Sequence, residues 1–420
     1  MQKIYFDHSA TTPVDQKVLR VILPYFSDHF GNASSIHSFG QEALAGVDKA
    51  REQAAKFLGA GAEEIIFTSG ATEANNLAIQ GFIGACLKKG MKYEDMHVIT
   101  SLVEHDAVLE PFMELEKKGV AVSYIGVQKN GVIDFAALQN AIAGNTVLVS
   151  VMWVNSEVGA IMPIREIGKH IKKINDSRES EWKKARAKER GERPVPIRFH
   201  TDATQAANFF NCDVEWNYID MLSLSGHKIY GPKGVGLLYK QKGIALEPLQ
   251  KGGHHENNLR SGTLNVPGIV GLGAALALLG KGEKGESSAE QARNNQKIAQ
   301  VRDYLAEMIK KNIPDTILNT DCDNSAPGHA HFSFLGIEGE SILLSLDMEG
   351  IAVSTGSACA SGSLKASHVL IAMGIKVEVA HNSVRFTLGK NNTKAEVNRL
   401  LAVLPAIAER LRKMNPLYKK

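Results

Sequence analysis

The sequence is poor in aromatic residues and cysteine, and it has no long apolar run. Only 6% of its 420 residues are Phe, Trp or Tyr. The best uninterrupted apolar stretches, 146–154 and 274–279, fall far short of the roughly 20 residues a membrane helix needs. The first 13 residues carry charge and turn formers but no apolar core, so no secretory leader is expected. Neither sign of charge dominates: 48 Lys and Arg against 45 Asp and Glu leave a formal net charge of +3. That is too little to make nucleic acid or an anionic membrane the main partner. A cytoplasmic location is the expectation. The four cysteines, Cys86, Cys212, Cys322 and Cys359, include no CxxC pair. Neither a zinc site nor a dithiol redox motif is therefore signalled, and no resident metal is expected.

What is present is an alternation. Short apolar runs at 64–67, 97–100, 121–125, 147–151, 197–201, 221–224 and 234–239 suit buried strands. Helix-like segments at 72–88, 106–117 and 164–174 separate several of them. This pattern predicts an α/β layer around a largely parallel sheet. After residue 266 the texture changes to a small-residue helix (266–279), a polar linker (280–288), a long helix (289–311) and a mixed α+β tail. A large domain is expected over 17–263, with 1–16 and 264–420 forming a smaller one. Residues 176–193 break the rhythm with dense charge of both signs, including Glu179/Lys183 and Glu189/Arg193 at i,i+4 spacing. They suit a solvated helical insertion or a partner-docking element.

Several polar residues sit where a core strand ends. Ser225-Gly226-His227-Lys228 follows the run 221–224, and a lysine in such a turn suits Schiff-base chemistry once its amine is partly desolvated. Asp202, in Asp202-Ala203-Thr204-Gln205, could cap a helix or keep a cofactor's ring nitrogen protonated. Gln205 could bond a ring hydroxyl. Thr68-Ser69-Gly70-Ala71-Thr72-Glu73 reads as strand, turn and helix start, an anion cup without the lysine or glycine spacing of nucleotide loops. It suits a monophosphate, with Ser225 and His227 as further donors. His105 ends another strand and could stack on a planar cofactor. Cys359 lies in the Gly/Ser/Ala run 354–363, which is too small-sided for core and suits an accessible nucleophile. Arg385 offers a bidentate grip on a carboxylate.

Taken in order, Asp7-His8-Ser9-Ala10-Thr11-Thr12, Phe30-Gly31-Asn32, Thr68 to Glu73, Glu104-His105, Val154-Asn155, Asp202 to Gln205, Ser225 to Lys228, Arg260-Ser261-Gly262-Thr263 and Gly356-Ser357-Ala358-Cys359 resemble the NifS/IscS-type cysteine desulfurases of the class V aminotransferase family. The resemblance runs over essentially the whole chain. It implies a fold type I pyridoxal 5'-phosphate enzyme, with a mostly parallel seven-stranded sheet and a smaller α+β domain. L-cysteine would become L-alanine, leaving a persulfide on Cys359. Lys228 would carry the cofactor and move the α-proton, and His105 would stack on the ring. Asp202 and Gln205 would tune that ring, and Ala71, Thr72, Ser225 and His227 would bind phosphate. Thr263 would do so from a neighbouring subunit of a homodimer. Asn32, Asn155 and Arg385 match positions that hold cofactor or substrate. The sulfur would pass to an acceptor protein, an iron–sulfur scaffold or a tRNA-thiolation enzyme, and Cys359 could touch a nascent cluster transiently. A selenocysteine lyase, or another enzyme of this family and cofactor, is the alternative. His254, Trp153 and the charged insertion depart from the usual pattern without removing a catalytic group.

Overall fold

The computed structural model describes residues 3–185, 194–283, 285–355, 366–416 and 418. In chain order, β1 (Ile4–Tyr5), α1 (Gln16–Ile22), α2 (Pro24–Ser27) and α3 (Ser38–Leu58) precede β2 (Ile65–Thr68) and α4 (Ala71–Lys88). Then come β3 (His97–Ser101), α5 (Asp106–Lys117), β4 (Ala121–Ile125), α6 (Phe135–Ala141), β5 (Thr146–Ser150) and α7 (Ile164–Lys184). Strands β6 (Arg198–Asp202), β7 (Met221–Ser225) and β8 (Gly236–Lys240) complete the main sheet, and α8 (Val266–Leu279) follows.

The seven predicted apolar runs all become strands of one sheet, in the order β2-β8-β7-β6-β5-β3-β4. Side-chain alternation sends neighbouring residues to opposite faces. Ile66, Val98, Leu148, Met221 and Leu238 pack against α4 and α5. Their sequence neighbours Phe67, Ile99, Val149, Leu222 and Leu237 join the core on the other face. Each such fully buried side chain contributes about 2 kcal/mol. Strand β8 alone runs antiparallel to both neighbours, β2 and β7. It has to begin with glycine: a Cβ at Gly236 would lie 2.7 Å from the Gly70 backbone and 2.5 Å from the Leu224 carbonyl. That close approach brings the turn before α4 against the end of β7.

The remainder comprises α9 (Ala289–Asn312), β9 (Thr316–Leu318), β10 (His329–Phe334), α10 (Gly339–Met348), β11 (Ile351–Ala352), α11 (His368–Ala372), α12 (Val377–His381), β12 (Ser383–Thr387) and α13 (Lys394–Met414). Here β10 is the centre of an antiparallel β12-β10-β9 sheet; α9 packs on β9 and β10, α10 packs on β12, and α13 packs on both helices. The N-terminal strand β1 pairs in parallel with β11. Helix α8, by contrast, packs against α3 and α1 beside the large sheet. The charged stretch after residue 175 continues α7 to Lys184, supported by Lys172–Asp176 and Glu179–Lys183 pairs; 186–193 lie outside the described residues. No helix among the described residues is long and apolar enough to cross a membrane.

Burial holds several histidines neutral. Desolvation pushes His200 down to about 4, and His329 and His331 down to about 3. The unfolded chain binds these protons near pH 6.5 and the native chain does not, so stability must fall as pH drops from 6.5. Each group contributes up to about 1.4 kcal/mol per pH unit. Thermal unfolding between pH 6.5 and 4.5 should show this loss, and His329→Gln should make the slope shallower. An unchanged slope in that variant would show that His329 is not held neutral.

Candidate active site

The C-terminal ends of β3, β5, β6 and β7 and the N-terminus of α4 surround a cavity of about 1030 Å³. Ligand sites of open α/β sheets collect at such strand ends. Lys228 follows β7 in the short turn Gly226–Lys228 and lines the cavity. Its Nζ donates to the carbonyls of Ser9 (2.5 Å) and Ala10 (2.8 Å). Gln205 Nε2 donates to the same Ser9 carbonyl at 2.9 Å. The N-terminal strip therefore fastens both side chains from one side.

Asp202 ends β6 and is buried. Its Oδ2 accepts from Asn75 Nδ2 (2.7 Å) and its Oδ1 from the Thr204 amide (2.9 Å). Neutral donors thus orient a carboxylate that makes no ion pair among the described residues. Helix α4 starts with no side-chain cap. The first amide that bonds within it is that of Ala74, to the Gly70 carbonyl. The amides of Ala71 and Thr72 precede it and form the cup of a helix N-terminus. Ser225 and His227 line the same end. Burial, then the Lys228 and Lys233 cations, push the His227 imidazole down to about 4, so it is neutral at neutral pH. Its Nδ1 meets Thr11 Oγ1 at 3.1 Å.

His105 is the N-cap of α5: its Nδ1 accepts from the Ala107 amide at 3.0 Å. An accepting Nδ1 places the proton of the neutral ring on Nε2. Beside it, Glu104 is fully buried and accepts from Ser101 Oγ (2.6 Å) and the Met152 amide (2.9 Å). Burial pushes its carboxyl up to about 8 against those bonds. Arg385, in β12, closes the far wall. It donates to the Ser156 carbonyl (3.0 Å) and to Asp7 Oδ1 (2.8 Å), while its buried Nε bonds no protein atom among the described residues.

The structure thus brings Lys228, Asp202, Gln205, His105, Ala71, Thr72, Ser225, His227 and Arg385 to one cavity. It does not bring Asn155, Asn32 or Thr263 into the lining of their own chain. Asn155 is buried behind the wall, its Oδ1 accepting from the Glu157 and Val158 amides and its Nδ2 donating to Val103. Asn32 turns its Oδ1 to the Ser34 amide, and Thr263 is exposed. Cys359 lies outside the described residues. Sequence reasoning missed Asn75, whose one signal was a polar residue on the apolar α4 three positions after Thr72. It also missed the carbonyls of Ser9 and Ala10, which carry no side-chain signal.

A reactive amine, a buried carboxylate and an anion cup on one cavity define an α/β enzyme built for a phosphorylated aldehyde cofactor with a basic ring nitrogen. The chain belongs to the aminotransferase class-V family, whose model matches residues 4–177 and 189–400; the family is pyridoxal-phosphate dependent. It is 43% identical to the cysteine desulfurase IscS of Dictyoglomus turgidum, over 100% of this chain and 98% of that one. Among solved structures, a NifS-like protein superposes with a TM-score of 0.84 at 33% identity, covering 98% of this chain and all of its own. SspA in complex with cysteine gives 0.75 at 35% identity, covering 93% of this chain and 100% of its own.

Proposed function

We propose that the chain is a cysteine desulfurase that turns L-cysteine into L-alanine and takes the sulfur as a persulfide on Cys359. The observation that carries this reading is the convergence of Lys228, Asp202 and the α4 cup on one cavity. Its residues fit pyridoxal phosphate: an amine for the aldehyde, a carboxylate without a cation for the ring nitrogen, and free helix amides for the phosphate. When bound there, the cofactor supplies an electron sink for the pair released at the substrate Cα. Lys228 Nζ would hold the cofactor and would take the proton from Cα. Asp202 would keep the ring nitrogen protonated, Gln205 would serve the ring hydroxyl, and His105 would flank the ring and assist proton transfer. The Arg385 guanidinium, braced by Asp7 and the Ser156 carbonyl, holds the substrate carboxylate, with the buried Asn155 fixing the turn at 156–158 behind it.

The Cys359 thiolate attacks the substrate sulfur. An S–S bond forms as the C–S bond breaks, the bonding pair stays with the substrate β-carbon, and a proton completes the methyl group of alanine. Thr263, exposed in its own chain, serves the phosphate site of a second copy, so the working form is a homodimer. The persulfide then passes to an acceptor protein in the cytoplasm, an iron–sulfur scaffold or a tRNA-thiolation enzyme. The test is to incubate the purified protein with L-cysteine and a thiol reductant. Alanine and sulfide should appear in equal amounts. Consumption of a keto acid without alanine from cysteine would replace this reading with transamination.

A further inference from the structure

The anion cup of α4 contains an anion of its own. Glu73 sits in the first turn of the helix and lines the cavity. A carboxylate there is favoured by the helix dipole, but it repels any phosphate bound at the same terminus. Its Oε2 accepts from the Ser69 amide at 2.7 Å, so it also shapes the turn that forms the cup. Burial alone would raise its carboxyl; the bonds from Arg260 and Ser69 hold it below the usual carboxylate range. It is therefore charged at neutral pH, beside the place where a dianion is to bind.

Arg260 answers that charge. Its Nε donates to Glu73 Oε1 at 2.8 Å and its Nη2 approaches Oε2 at 3.4 Å, with 19% and 22% of the two side chains exposed. Arg260 itself does not line the cavity. The loop that delivers it is pinned four residues earlier. There the buried Glu256 takes Arg51 Nη2 (2.5 Å) and Nη1 (3.1 Å) and accepts from the Phe67 amide (2.8 Å). Residues Glu256, Asn257 and Asn258 all hold positive φ, at 46°, 55° and 65°. A run of left-handed residues without glycine persists only where surrounding contacts over-determine it. Two ion pairs thus tie this loop to α3, through Arg51, and to α4, through Glu73, while the Phe67 amide ties it to β2 just before the cup.

We propose that Arg260 is a positioning residue for the cofactor phosphate, acting through Glu73 by cancelling the charge that would otherwise compete for the helix terminus. The inference rests on the reading that this cup holds the phosphate of pyridoxal phosphate. The test compares pyridoxal phosphate with pyridoxal, which lacks the phosphate. Dissociation constants are measured by absorbance on the full chain after its cofactor has been removed and re-added. Arg260→Gln should weaken pyridoxal phosphate by about tenfold or more and leave pyridoxal within about twofold. Adding Glu73→Gln to that variant should restore binding to within about threefold of wild type, since no competing charge is left. Glu73→Gln alone should bind pyridoxal phosphate at least as tightly as wild type, which keeps the test open should Arg260→Gln misfold. Equal loss of both ligands in Arg260→Gln, or failure of the double variant to recover, would overturn the proposal. A wild-type protein that binds neither ligand would overturn the reading of the site itself; wild-type-like binding in Arg260→Gln would overturn only the role of Arg260.

Discussion

Lys228→Ala should lower alanine and sulfide formation from L-cysteine by about a thousandfold or more, the scale of a lost covalent anchor and proton carrier. Lys233 also lines the cavity, but it lies five residues beyond the β7 turn. Position 228 ends the turn after β7, and the Ser9 and Ala10 carbonyls draw its Nζ towards the cavity. The variant should still fold, because the side chain is only partly buried and Gln205 keeps its own bond to Ser9. Lys228→Arg should be equally inactive: a guanidinium stays protonated at neutral pH and cannot carry an aldehyde or take a proton from Cα. The checks are product formation, the visible absorbance of the cofactor–lysine adduct and a thermal melt. Alanine formed by Lys228→Ala at a tenth of the wild-type rate would sink the assignment of this lysine.

How much of this was legible follows from the chemistry of particular positions. The run 221–224 could be read as a strand because it is apolar between turn formers, and its lysine stood out because it ended that run. Helix α5 could be read from Asp106 to Lys117 because its amphipathic spacing is regular and His105 caps it. Helix α7 joins the apolar-periodic segment 164–174 to the start of the charged insertion without a break, the i,i+4 ion pairs that signalled a solvated helix carrying it on to Lys184. The reversal of β8 had a signal that went unused: only ten residues separate it from β7, fewer than a parallel crossover usually needs. The smaller sheet was hidden because β10 buries His329, His331 and Ser333 along with its phenylalanines. Inside the cavity, residues whose own side chains do chemistry were visible at strand ends. Asn75, Glu73 and Arg260 were not legible as a network, because the partner each one finds is decided by the fold.

Cys359→Ser should bring sulfide release down to background while the protein still binds its cofactor. The argument rests on the other three thiols. Cys86 is buried in the core between α4 and the sheet, and burial pushes its thiol up to about 11. Cys212 is fully buried and raised further by the same cause. Cys322 is half-buried, and desolvation again outweighs the nearby Arg302 cation and lifts its thiol. None of the three lines the cavity. A thiol held protonated and away from the substrate can neither attack its sulfur nor carry a persulfide. Cys322→Ser and Cys86→Ala should therefore release sulfide at close to the wild-type rate, any loss tracking stability rather than chemistry. A serine at 359 offers a hydroxyl that is no nucleophile towards sulfur at neutral pH, so the C–S bond stays intact and alanine formation falls with sulfide. Sulfide and alanine at wild-type rates from Cys359→Ser would sink the persulfide step on Cys359, and would leave attack of the added thiol reductant on the substrate sulfur as the chemistry to examine.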